Sequence, residues 1–132
     1  IQPGLTEELE LFRAKAKMLR SAAMLAMRMK NAAVLVFTRS GDLAAKLGAL
    51  RPNGAPLFAF TDIDGLHRRL RLIWGIEPFL MPFSGDPEIT IQKAIRKLED
   101  EGWVHPGDQL VTVTNVLAGG RVVESIQLRE VE

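Results

Sequence analysis

Ala32-Ala33-Val34-Leu35-Val36-Phe37-Thr38-Arg39-Ser40-Gly41 is the stretch on which the fold turns. Its apolar run has no polar alternation, as expected of a strand covered on both faces in a parallel sheet. Thr38 to Gly41 punctuate the run, and Asp42 to about Leu50 reads as a helix ending before Arg51-Pro52-Asn53-Gly54. A second apolar strand, Pro56 to Phe60, leads into Thr61-Asp62-Ile63-Asp64 and a short helix from about Ile63 to Leu72. Ile76 to Leu80 is a third strand. Asp86-Pro87-Glu88 then opens a helix with a capping acid and proline at its first position. Ile91, Ala94, Ile95 and Leu98 form its buried stripe, and Gly102 stops it.

Upstream, Leu5, Leu9, Phe12, Ala16, Leu19, Ala23 and Ala26 recur at helical spacing, which predicts one helix from Thr6, its cap, to about Lys30. At ~1.5 Å per residue it would be roughly 37 Å long. Unless it bends near Ser21, that is long for so small a domain, so residues 1–20 are expected to dock on a partner or a missing domain. Downstream, Gln109 to Asn115 is a fourth strand, Leu117-Ala118-Gly119-Gly120 a hairpin loop and Arg121 to Arg129 a fifth strand. So short a loop cannot carry a parallel crossover, so the last strand runs antiparallel. The expected architecture is a three-layer α/β/α domain over residues 1–132. Its five-stranded sheet is mostly parallel, with an antiparallel last strand.

Composition narrows the function classes. With 132 residues, 47% of them hydrophobic, the chain suits one domain with a real core and has no room for a catalytic barrel beside it. Lysine and arginine number 17 against 16 acids, a balance that argues against nucleic-acid and anionic-membrane binding. Cysteine is absent, which removes disulfides, thiolate metal sites and cysteine nucleophiles. No apolar stretch approaches the roughly 18 residues a bilayer span requires, and no signal peptide is visible. These features set the expectation of a cytoplasmic protein. The chain opens at Ile1 instead of methionine, which suggests a processed protein or an excised domain.

Ligands of open parallel sheets bind beyond the carboxyl ends of the strands. The loops there are Thr38 to Asp42, Thr61 to Asp64, Pro82 to Asp86 and 115 to 121. In the first, Thr38, Ser40 and the amides around Gly41 stand at a helix start that favours an anion, and Arg39 adds a bidentate phosphate donor. The competing reading makes Ser40 a helix cap and Gly41 an eased turn. Asp62 and Asp64 form either a metal or acid pair or, more simply, helix-starting caps. His67 and His105 lack metal-ligand partners at useful spacing. His67-Arg68-Arg69-Leu70-Arg71 reads as a solvated basic face, and Met18, Met24, Met27 and Met29 as packing. No catalytic constellation, metal site or cofactor motif emerges. The residues alone leave open a free-standing module binding a phosphorylated metabolite at the Thr38 loop and, more weakly, a small enzyme using Asp62 or Asp64.

The ordered set Ala33 to Gly41, Arg51-Pro52, Pro56 to Thr61, Leu72-Ile73-Trp74-Gly75-Ile76-Glu77-Pro78, Gly102-Trp103 and Pro106-Gly107-Asp108 resembles the C-terminal domain of pyruvate kinase. The match runs from about Ser21 to the end. In that family phosphoryl transfer takes place in a separate barrel domain. The C-terminal domain supplies a subunit interface and, in many members, a pocket for a phosphorylated effector. The resemblance therefore implies allosteric regulation of glycolysis, with phosphate at Thr38, Arg39, Ser40 and Gly41, and no catalytic residue in this chain. If the chain belongs to a longer protein, that protein is expected to be the phosphotransferase itself. Leu43 stands where bisphosphate-activated members carry a further hydroxyl, and Asp42 sets an acid beside the phosphate. The second-phosphate arginine is replaced near Thr90, and the effector loop is reduced to Leu117 to Gly120. A monophosphate, or no effector, is thus expected over fructose bisphosphate. The last strand alternates Val122, Ile126 and Leu128 with Ser125, Gln127 and Arg129 at a sheet edge, so a homo-oligomer through that strand or the first helix is expected.

Overall fold

Every residue of β1 (Ala32–Phe37) is buried except the half-buried Phe37, which is what a run without polar alternation requires. The structure is a computed structural model; it describes residues 17–39, 55–118 and 121–132, and of 115–118 and 121–124 the backbone alone. The expected helix at Asp42 to Leu50 and the start of the first helix at Thr6 lie outside the described residues, as do Ser40 and Gly41. The elements then run α1 (residues 17–27), β1, β2 (Leu57–Thr61), α2 (Asp64–Leu70), β3 (Ile76–Leu80), α3 (Pro87–Asp100), β4 (Gln109–Ala118) and β5 (Arg121–Glu130).

The sheet order is β3-β2-β1-β4-β5. β1 pairs in parallel with β2 and β4, β2 with β3, and β5 runs antiparallel to β4, as the short final loop demands. The chain steps outward from β1 to β3 and then returns to the other side of β1. That reversal makes the carboxyl end of β1 the switch point at which open α/β sheets form their crevice.

Alternate residues of the strands feed two cores. Val34, Val36, Leu57, Ala59, Val111 and Val113 pack under Leu19, Ala22 and Ala26 of α1 and Leu66 and Leu70 of α2. Leu35, Phe58, Phe60 and Phe79 pack on the opposite face under Ile91, Ala94, Ile95 and Leu98 of α3. The result is three layers. The second core is aromatic: Phe60 stacks on Phe79 at 4.8 Å, and Phe58 meets both Phe79 and Trp103 edge-on. Such pairs add about 0.5–1.5 kcal/mol each beyond the area they bury.

Element ends follow local chemistry. The Asp86 side chain accepts from the Glu88 N–H at 3.0 Å and Pro87 occupies the first turn, as the sequence expects. Gly102, at φ +81°, closes α3 with Gly102 N–H donating to Glu99 O and Trp103 N–H to Leu98 O. The first helix ends at residue 27, three residues before the expected Lys30, because Asn31 takes the left-handed conformation (φ 51°) that turns the chain into β1. α2 is shorter than expected at both ends. Leu72 stands 85% exposed beyond it, and Gly75 (φ 89°) reverses the chain into β3. Met29 packs against the core, whereas Met24 and Met27 are about half exposed, so packing accounts for only part of that methionine set.

The β4–β5 ladder departs most from expectation. It continues to Ala118↔Arg121, so β4 does not end at Asn115 and Leu117-Ala118 are strand. β1 last pairs with β4 at Val36↔Val113, and five further β4–β5 pairs carry the hairpin about 17 Å past it, at ~3.4 Å per residue. The arm rises beside the carboxyl end of β1.

Candidate functional site

Beyond Phe37 the Thr38 N–H still donates to Phe60 O at 2.9 Å, so the parallel ladder runs one residue past the strand. The Thr38 side chain is buried (3% exposed). Arg39 is therefore the first side chain to leave the sheet. The pairing Phe37↔Phe60, extended by two, sets Arg39 abreast of Asp62. The Thr61 hydroxyl accepts the Ile63 N–H at 3.2 Å and turns the chain there. Asp62 then takes Arg39 side-on: Nε donates to Oδ1 at 2.9 Å and Nη2 to Oδ2 at 2.6 Å. The guanidinium also lies over the Phe83 ring, 5.2 Å from its centre. Phe83 in turn meets Phe37 edge-on at 5.7 Å. Three loops, after β1, β2 and β3, thus converge on one guanidinium.

The charge balance follows the geometry. Hydrogen bonding to Arg39, more than the opposing effect of burial, holds the Asp62 carboxyl below its usual range. The Arg39 side chain remains 63% exposed and Asp62 only 23%. Asp62 thus neither caps α2, whose N-cap is Ile63 without a side-chain bond, nor pairs with Asp64. Asp64 instead forms an i,i+4 ion pair with Arg68 at 3.4 Å. The two carboxylates serve different arginines, and the acid-pair reading fails on that ground. Among the described residues no group of three or more histidine, aspartate or glutamate side chains is placed to hold a metal ion.

The third loop is built from below. Buried Thr90 of α3 accepts the Ser84 N–H at 2.8 Å, which holds the segment carrying Phe83. Ser84 Oγ accepts the Asp86 N–H at 3.2 Å. His105 stands in a turn where its N–H donates to Asp108 Oδ2 at 2.9 Å, the structural role its isolation suggests. Sequence reading placed Arg39 at the site but missed Asp62 and Phe83 as its partners. The signal lay in the register of two adjacent parallel strands, not in local spacing. It also missed an open cleft of about 780 Å³ at the amino end of β3, lined by His67, Arg71, Trp74 and Glu77 among others. That cleft lies at the opposite end of the sheet from Arg39.

Residues 16–123 match the family model described as pyruvate kinase, alpha/beta domain. The chain belongs to that family. It is 36% identical over 103 residues to pyruvate kinase isozyme A, chloroplastic, of Nicotiana tabacum, covering 78% of this chain and 17% of the relative. It is 31% identical over 94 residues to a pyruvate kinase of Agrobacterium vitis, covering 71% of this chain and 20% of the relative. The chain thus spans about a fifth of the length of these curated relatives. Its fold is that of a Cryptosporidium parvum pyruvate kinase solved in complex with ADP, at TM-score 0.77 and 18% identity, over 89% of this chain and 24% of that one. The expected α/β class, with its mostly parallel sheet and antiparallel last strand, stands as read. With plant relatives named as chloroplastic, kinship gives no support to a cytoplasmic location over a plastid one. Among the described residues no helix is long and apolar enough to cross a membrane.

Proposed function

We propose that this pyruvate kinase α/β domain is a regulatory and oligomerisation unit, with an effector loop at Thr38, Arg39, Ser40 and Gly41 and no catalytic site of its own. Phosphoryl transfer, in a longer protein, would belong to a barrel outside this chain. The observation carrying the reading is the convergence of three carboxyl-end loops on the exposed Arg39, at the sheet's switch point and beside the β4–β5 arm. A guanidinium fork suits a phosphoryl group, and one arginine suits a monophosphate better than a bisphosphate. The oligomer reading draws support from β5, an edge strand whose polar Ser125, Gln127 and Arg129 are half-buried toward α3. Its Ile126 and Leu128 face solvent instead. An edge that exposes apolar side chains invites pairing with a second copy.

Thermal melts with a panel of sugar phosphates and nucleotides test the effector loop. A ligand at about 100 times its Kd should add roughly 2.7 kcal/mol, a rise of a few degrees in Tm that Arg39→Gln removes. No rise with any of them would refute the loop. Light scattering at tens of micromolar tests the interface: a dimer is expected, with Leu128→Glu a monomer, and a monomeric wild type would refute it.

A further inference from the structure

We infer that Asp62 is the resident occupant of the Arg39 fork, so that a phosphate ester binds there only by exchange, displacing the carboxylate from the two donors it holds. The inference rests on the effector-loop reading and adds the residue that sets affinity and selectivity. The geometry is that of a bound ligand: two parallel N–H···O bonds of 2.9 and 2.6 Å from Nε and Nη2, the side-on pairing by which arginine also takes a phosphoryl group. The Phe83 ring beneath holds the guanidinium plane in place whichever anion occupies its edge. Asp62 stands in the loop after β2, one strand over from the loop carrying Arg39, so it can swing away without disturbing the β1 ladder. The guanidinium is more exposed than its partner, so an anion arriving from solvent meets Arg39 first.

Exchange has a consequence for selectivity. Replacing one monoanionic carboxylate by another gains little, because the donors and the charge are the same. A phosphate ester dianion brings a second charge and more acceptor oxygens, and therefore outcompetes Asp62 where a carboxylic acid does not. The alternative is that Asp62 merely orients Arg39, leaving Nη1 for the ligand. It predicts the opposite sign on removing the carboxylate.

Calorimetric titration of the 132-residue chain with inorganic phosphate and with glucose 6-phosphate as probes separates these cases. Asp62→Asn and Asp62→Ala should each bind the probes at least tenfold tighter than wild type, about 1.4 kcal/mol. Arg39→Gln should abolish binding, and Asp62→Asn in the Arg39→Gln background should restore none of it. Equal or weaker affinity in both Asp62 variants, with the wild type binding, overturns the exchange and leaves the effector loop intact. A gain that survives in the Arg39→Gln background overturns it too, since Asp62 would then act as a repelling charge alone. Failure of every variant to bind either probe refutes the effector loop and this inference with it.

Discussion

Arg39 and Arg129 each hold a carboxylate in a bidentate pair at nearly the same distances, side-on through Nε and Nη2 in Arg39 and end-on through Nη1 and Nη2 in Arg129, and they stand in different surroundings. Arg129 on β5 donates to both oxygens of Glu88 on α3, at 3.0 and 2.6 Å, and its Nε and Nη2 also reach Gln127. Its side chain is 21% exposed, against 63% for Arg39. Arg129 is engaged on two sides and ties the edge strand to the helix layer. Arg39 is engaged on one edge, rests on an aromatic face and stays open to solvent. A bidentate pair is therefore not evidence of function in itself. What surrounds the guanidinium decides whether the carboxylate can be exchanged.

The contrast assumes a shared platform, so the largest effect should come from its removal. Phe60→Ala deletes a fully buried ring that stacks on Phe79 and touches Phe37; chemical denaturation should show a loss of about 3–5 kcal/mol. Less than about 1 kcal/mol would mean that the aromatic core does not support the β1 end. Next, the two arginines should separate. Arg129→Gln should lower stability by about 1 kcal/mol and leave anion binding untouched, whereas Arg39→Gln should abolish anion binding with a stability change below about 0.5 kcal/mol. Equal stability losses would erase the distinction.

Comparing wild type with Glu88→Gln under acid isolates the structural pair. Hydrogen bonds from Arg129 and then Gln92 hold the Glu88 carboxyl at about 2, below its ordinary 4.5. A carboxyl depressed in the folded state stabilises above its unfolded value and loses that contribution as pH falls. The stability gap between wild type and Glu88→Gln should thus be full at pH 7, shrink below about pH 4.5 and vanish near pH 2. Because Glu88 is 53% exposed, solvent screening limits the gap to roughly 0.5–1 kcal/mol. A gap that does not change with pH would remove the ion pair as its cause. The smallest effect is expected at Thr112, a buried hydroxyl on β4 without a hydrogen-bond partner among the described residues. Thr112→Val should be neutral or stabilising by less than about 0.5 kcal/mol in the same denaturation assay, and a loss would reveal a bond to the hydroxyl.

Much of the architecture follows from local signals. The unbroken run Ala32 to Phe37 requires cover on both faces, and the cores on either side of the sheet supply it. Asp86-Pro87 and Gly102 bound α3 because capping and left-handed geometry are properties of a few neighbouring residues. Boundaries differ from expectation where no such signal exists. Nothing between Asn115 and Ala118 says that a strand continues, because cross-strand pairing with Arg121 to Glu124 sustains it there. The polar and apolar sides of β5 were visible as an alternation. Which side meets solvent depended on where α3 lies.

The amino-acid order carried the periods, caps and turns, because those depend on interactions spanning a few residues, and from them came the layers and the antiparallel finish. It also pointed to Arg39 as a candidate anion donor. That Asp62 sits in its fork, that Phe83 lies beneath and that Asp64 turns elsewhere are matters of parallel register and loop convergence. Those depend on how distant segments pack, since a 23-residue separation puts two side chains in contact only once both strands are in place.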